Sequence, residues 1–136
     1  MIICCDTNIL ISAFIFPGGF PDKIVQAIQM KRFENVTSLE LLNEFKKVLI
    51  TKFKLSLERA NDYVMFVSNM STIVHPTEKL SIIREDVADN RVLECAFTGH
   101  ASYIITGDKL LLNYNKKMKQ LEIVTPKVFS EYFGII

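Results

Sequence analysis

The stretch Met1-Ile2-Ile3-Cys4-Cys5-Asp6-Thr7-Asn8-Ile9-Leu10 decides the fold of this 136-residue chain. Met1–Cys5 is an apolar run with the length of a short buried strand, and an acid ends it. Asn8–Phe16 then follows helical spacing and stops near Pro17-Gly18-Gly19, a strong breaker. A buried strand running straight into a helix is the opening of a β-α unit. The same alternation recurs along the chain. Pro21 and Asp22 open a second helix to about Lys31, and Phe33–Val36 reads as a second strand. Thr37, with Glu40 three residues on, gives a capping-box pattern for a helix through about Ile50. Ser56–Asn69 is a further helix, with Leu57, Ala60, Val64 and Val67 on one apolar face. A short strand at Thr72–Val74, a loop at His75–Glu85 and a helix at Asn90–Thr98 follow. A strand at Tyr103–Thr106, a helix at Lys109–Tyr114, a strand at Glu122–Thr125 and a helix at Pro126–Phe133 complete the pattern. Strands alternating with helices predict an α/β fold whose parallel sheet is covered on both faces.

Four carboxylates stand out against that apolar frame: Asp6 after the first strand, Glu44 in a helix, Asp89 opening another, and Asp108 after Tyr103–Gly107. In open parallel sheets, ligands bind at the carboxyl ends of the strands, where Asp6 and Asp108 are placed. Each acid also has a structural role open to it. Asp6 and Asp108 can cap the helices that follow, and Asp86 with Asp89 can share the start of the next one. Glu44 fits such a role less well. It lies three residues after Leu41 and four before Val48, within the apolar stripe formed with Leu42, Phe45 and Leu49. An ionised side chain there is costly without compensation. Asp89 raises the same question, with Leu93 and Ala96 at i+4 and i+7. Clustered acids repel, and a hard cation such as Mg²⁺ or Mn²⁺ removes that penalty.

Apolar residues make up 49% of the chain and charged residues 23%, the composition of one compact domain spanning residues 1–136. Sixteen basic side chains nearly balance fifteen acidic ones, so net charge identifies no partner. Setting the four acids aside leaves a mildly basic body around an acidic pocket. Cys4, Cys5 and Cys95 have no zinc spacing and read as buried small hydrophobes, Cys4 and Cys5 on opposite faces of their strand. His75 and His100 each stand alone, which disfavours zinc. No run has the length of a membrane span and no signal peptide is recognisable, so a cytoplasmic location is expected. A mean hydropathy of +0.23 suggests apolar surface covered by a second subunit or partner. Tyr63 and Phe66 on the Ser56–Asn69 helix are the candidate dimer surface.

Asp6-Thr7-Asn8-Ile9-Leu10, Glu44, Asp86-Val87-Ala88-Asp89-Asn90 and Thr106-Gly107-Asp108-Lys109, in this order over nearly the whole chain, resemble the PIN-domain family. The resemblance is greatest to the VapC-like ribonuclease branch of toxin–antitoxin systems. It implies a three-layer α/β/α sandwich, cleavage of RNA by metal-activated water, and an antitoxin partner. It carries catalytic and metal-holding roles onto Asp6, Glu44, Asp89 and Asp108, and supporting roles onto Asn8, Thr106 and Asp86. Val87 and Ala88 depart from the family pattern, where proline and another acid are common. Candidate RNA contacts are Lys109, Lys116, Lys117 and Lys119, with Lys46, Lys47, Lys52 and Lys54 as a second basic edge. Two other readings are open: a weakly active RNA- or partner-binding module of the same fold, and an aspartate-dependent phosphatase. The second lacks the DxD arrangement at Asp6-Thr7-Asn8.

Overall fold

The computed structural model describes residues 1–77, 87–114 and 121–136, with Val87–Asp89 described by backbone alone. Its elements alternate along the chain. They are β1 (Ile2–Cys5), α1 (Thr7–Ile15), α2 (Phe20–Gln29), β2 (Glu34–Ser38), α3 (Leu39–Thr51), α4 (Leu57–Met70) and β3 (Ser71–Val74). Then follow α5 (Val87–Thr98), β4 (Tyr103–Ile105), α6 (Lys109–Asn113), β5 (Glu122–Val124) and α7 (Pro126–Phe133). The strands form one parallel sheet in the order β3-β2-β1-β4-β5. The chain builds outward from β1 in one direction, then returns to β1 and builds in the other. That reversal makes the β1/β4 seam the topological switch point, the place where such sheets leave a crevice.

Side-chain alternation sorts the core into two layers. Ile3 and Cys5 of β1 face a cluster supplied by α1, α2, α4 and α7, whereas Cys4 faces one supplied mainly by α5. The expected opposite orientation of the two cysteines holds. Helix α3 serves both layers, giving Leu41 to the second cluster and Leu42, Phe45 and Leu49 to the first. The architecture is the three-layer α/β/α sandwich. Phe14 of α1 locks α3 and α4 in place: its ring lies 6.1 Å from Phe45, 4.9 Å from Tyr63 and 5.3 Å, edge-on, from Phe66. This packing brings the helix after Asp6 against the helix that carries Glu44.

Several boundaries differ from expectation for identifiable reasons. Ser38, rather than Thr37, caps α3, accepting a hydrogen bond from the Leu41 backbone N–H at 3.3 Å. Both residues are good caps. The choice falls to Ser38 because β2 stays paired with β3 through Ser38↔Val74. Glu40 therefore sits one position too early for a capping box, and that assignment is withdrawn. Leu57, expected on the inner face of α4, is 59% exposed in the turn just after the Ser56 cap. Helix α5 starts at Val87, before the expected Asn90, since neither Gly nor Pro interrupts Val87–Asp89. Most of the expected 75–85 loop lies outside the described residues.

The cap assignment is testable. Ser38→Ala should lower stability in urea unfolding by about 1 kcal/mol. The Thr37 hydroxyl is buried with no hydrogen-bond partner among the described residues, so Thr37→Val should be neutral or stabilising. The reverse ranking would restore Thr37 as the cap.

Candidate active site

Asp6 follows the last residue of β1 and still belongs to the sheet, because its backbone N–H donates to Ile105 O at 3.0 Å. Its own carbonyl starts α1 by accepting from Ile9 N. Its carboxylate makes no capping hydrogen bond, so the capping role open to it in the sequence is not the one it fills. The Thr106 hydroxyl instead donates to Asp6 Oδ2 at 2.7 Å, across the switch-point seam. Thr106 is fully buried, and its N–H donates to Val124 O, continuing β4 beside β5. The same hydroxyl oxygen accepts from the Asp108 backbone N–H at 3.0 Å. One side chain thus ties the acid after β1 to the turn after β4.

Asp108 does fill its structural role: Oδ1 caps α6 by accepting from Leu110 N at 2.8 Å. It is nonetheless near enough to repel Asp6. Glu44 stands half-buried at the edge of the apolar stripe of α3 rather than within it, which reduces the cost of its charge. The Thr7 hydroxyl approaches Glu44 Oε2 at 3.4 Å, so α1 and α3 touch through polar atoms at the pocket. Thr7 is buried and was not singled out from the sequence, though it lies inside the quoted Asp-Thr-Asn. Asn8 points outward and is exposed.

These groups make Asp6 an unusual acid. Its carboxyl is pushed up to about 6 from an ordinary 3.8. Burial is the largest cause; the hydrogen bonds from Thr106 and from the Thr7 backbone pull the other way, and the charges of Glu44 and Asp108 add to the rise. Asp6, Glu44 and Asp108 therefore gather at one end of the sheet together with Thr106. Asp89 is on the first turn of α5, but its side chain, Asp86, Lys116, Lys117 and Lys119 lie outside the described residues. Among the described residues, no three His, Cys, Asp or Glu side chains stand close enough to enclose a cation by themselves.

The donor set fits a hard divalent cation better than zinc. The Asp6 carboxylate, with the charges of Glu44 and Asp108 acting on it, supplies oxygen, and an added positive charge would offset that repulsion. The three thiols are buried, and Cys5 is pushed up to about 12 by burial and by Asp6, so it stays protonated. A hydrogen bond with Cys95, and then burial, likewise raise Cys4. His75 and His100 are exposed.

Two further polar features were not read from the sequence. Asn35, on β2 and fully buried, accepts from Cys5 N at 3.0 Å and donates to Ser71 Oγ at 3.0 Å. Glu94 of α5 is buried and paired with Arg91 at 3.0 Å. An acid among Val92, Leu93, Cys95 and Ala96, with an Arg three residues before it, was the available signal for the pair.

Comparison with known proteins agrees with this geometry. The PIN domain family matches residues 3–110. An uncharacterized protein of Methanocaldococcus jannaschii, MJ1680, is 34% identical over 142 residues, covering 96% of this chain and 90% of that protein. Among solved structures, VapBC2 from Rickettsia felis bound to a promoter DNA fragment has a chain that matches with a TM-score of 0.63. That match has 14% identity, and covers 92% of this chain and 98% of the other, so it speaks to the fold. The chain belongs to the PIN domain family.

The raised Asp6 value has a consequence for stability. The folded protein holds this proton more tightly than the unfolded chain, so the contribution is present in full below about pH 4 and is lost as pH rises through about 6. A rise from 3.8 to about 6 corresponds to about 3 kcal/mol at neutral pH. Metal-free Asp6→Asn should therefore be more stable than wild type at pH 7, by about 1–3 kcal/mol, and should lose the decline between pH 4 and 7. Urea unfolding across that range checks it. A less stable variant at pH 7 would mean that the carboxylate is stabilising where it sits.

Proposed function

We propose that this chain is a single-domain, metal-dependent endoribonuclease, acting as the toxin component of a toxin–antitoxin pair. The observation that carries the reading is Asp6, a buried carboxylate at the sheet's switch point, crowded by Glu44 and Asp108. Keeping such a group there destabilises the fold, as expected for a site maintained for its chemistry. Asp6, Glu44 and Asp108, with Asp89 from α5, would hold Mg²⁺ or Mn²⁺. Such an ion, when bound, supplies orientation of a phosphodiester, a more acidic water and stabilisation of the leaving oxygen.

The chain's own residues do the positioning. Thr106 fixes the Asp6 carboxylate through Oδ2 and fixes the turn that presents Asp108. Thr7 and the α1/α3 packing hold Glu44 at the rim. Asn8, exposed on the first turn of α1, is free to meet substrate rather than the acids. No side-chain nucleophile is required, and Cys4 and Cys5, next to the site in sequence, are held protonated and buried. Lys109, exposed beside Asp108, is the described lysine best placed to meet a phosphate, with Lys46 and Lys47 following Glu44 on α3. Lys116, Lys117 and Lys119 extend that expectation into residues outside the description.

Three supports bear on partners and place. The fold is shared with a chain of VapBC2, which favours a protein antitoxin. Met65 and Phe66 on α4 are 63% and 39% exposed, which favours a two-fold dimer through that helix. Phe66 also packs on Phe14, so only part of its ring is available. No helix among the described residues is long and apolar enough to cross a membrane.

Incubation with total cellular RNA, followed by cleavage-site mapping, tests the reading. Wild type should cut at defined positions with Mg²⁺ or Mn²⁺, and chelation should stop it. Asp6→Asn and Glu44→Gln should each lose about 10²–10⁴-fold in rate, the range for a group acting directly on the chemistry. Cleavage that persists in the Asp6→Asn protein would remove the acids from the mechanism.

A further inference from the structure

Arg91 and Glu94 of α5 and Glu40 of α3 form an ion network that the proposed chemistry does not use. Arg91 Nη2 lies 3.0 Å from Glu94 Oε2, and Arg91 Nε lies 3.9 Å from Glu40 Oε2. The Glu94 side chain is 1% exposed, Arg91 18% and Glu40 44%, so the network runs from the core to the surface. Its ends sit on helices that carry two of the four acids. Glu40 is one turn before Glu44 on α3, and Arg91 is two residues after Asp89 on α5.

Beneath it, α3 and α5 meet through apolar side chains, Leu41 packing in one cluster with Val92 and Leu93. Apolar burial is non-directional and lets two helices slide or rotate a little without losing area. A guanidinium is planar and presents its donors in a fixed fork. Arg91 is held on its own helix by Glu94 through Nη2. Its Nε, which makes no hydrogen bond among the described residues, lies in ion-pair range of Glu40 on α3, a charge link across the α3/α5 seam that apolar packing alone does not supply. Among the described residues, Arg91 thus turns Nη2 to Glu94 and Nε toward Glu40.

We propose that Arg91, bridged to Glu94 and Glu40, is a positioning residue that holds α5 against α3 and so sets the spacing between Glu44 and Asp89. This rests on the reading of those acids as cation ligands. The network acts like the outer-shell partners that orient metal ligands, whose loss typically weakens metal binding 10–100-fold.

The test uses Arg91→Met combined with Glu94→Leu, which replaces a buried ion pair by apolar groups of similar size, a change that folds often tolerate. Thermal unfolding without metal should be close to wild type, Mn²⁺ affinity by calorimetry should fall about 10–100-fold, and RNA KM at saturating Mn²⁺ should hold. If the double variant does not fold, Arg91→Lys decides: a point charge keeps one bond but not the fork, so Mn²⁺ binding should weaken about several-fold with little change in melting. Wild-type Mn²⁺ affinity in the folded variant overturns the proposal. So does a raised KM at unchanged Mn²⁺ affinity, which would make Arg91 a phosphate contact. A wild-type protein that binds no Mn²⁺ overturns the cation reading of the acids, and the positioning role falls with it.

Discussion

The hydrogen bond from Thr106 to Asp6, 2.7 Å long and buried, joins the two halves of the sheet at the one place where the chain reverses its building direction. A carboxylate placed there loses most of its water, and the bond offsets only part of that cost. Two more acids nearby make the arrangement worse for the metal-free fold. The rest of the site is arranged around that tension. Thr106 also anchors the turn to Asp108, and Asp108 in turn starts α6. One hydroxyl therefore couples the geometry of two acids.

The floor beneath the acids is made rigid by a side chain acting as backbone. Strands β1 and β2 are paired at Ile2↔Glu34 and Ile3↔Asn35. Beyond that point the Cys5 N–H would be buried without a ladder partner, which is costly. Asn35 Oδ1 supplies the acceptor, and its Nδ2 reaches Ser71 at the start of β3. The residue just before Asp6 is thereby fixed from one side by β2 and from the other by Ile105 of β4. Precision in the acid's position comes from the sheet; the helices bring the other groups to it.

Much of the fold was legible because its signals are local. Apolar runs, Pro17-Gly18-Gly19 and capping residues fix elements within a few positions, and the strand–helix alternation leaves few topologies. What was not legible depends on residues distant in sequence. Asp6 and Asp108 carry the same signature, an acid between a strand and a helix. Only Asp108 caps, because Asp6 has Thr106 within reach, a hundred residues away. Ser38 replaced Thr37 as cap because of its pairing with Val74 on another strand. Glu40, read as a backbone partner, belongs to Arg91 on a helix about fifty residues on. Glu44 was read as lying within the apolar stripe of its helix, and its place at the edge of that stripe depends on how α1 packs on α3.

The central claim is that the acids at the β1/β4 seam are arranged for a divalent cation. The Asp6 carboxyl reports on this directly, since its titration can be followed by carbon NMR with and without saturating Mg²⁺. Without the ion it should titrate near 6. With the ion it should move well below that value, because a bound cation favours the charged carboxylate. A titration that stays near 6 at saturating Mg²⁺ would contradict the account.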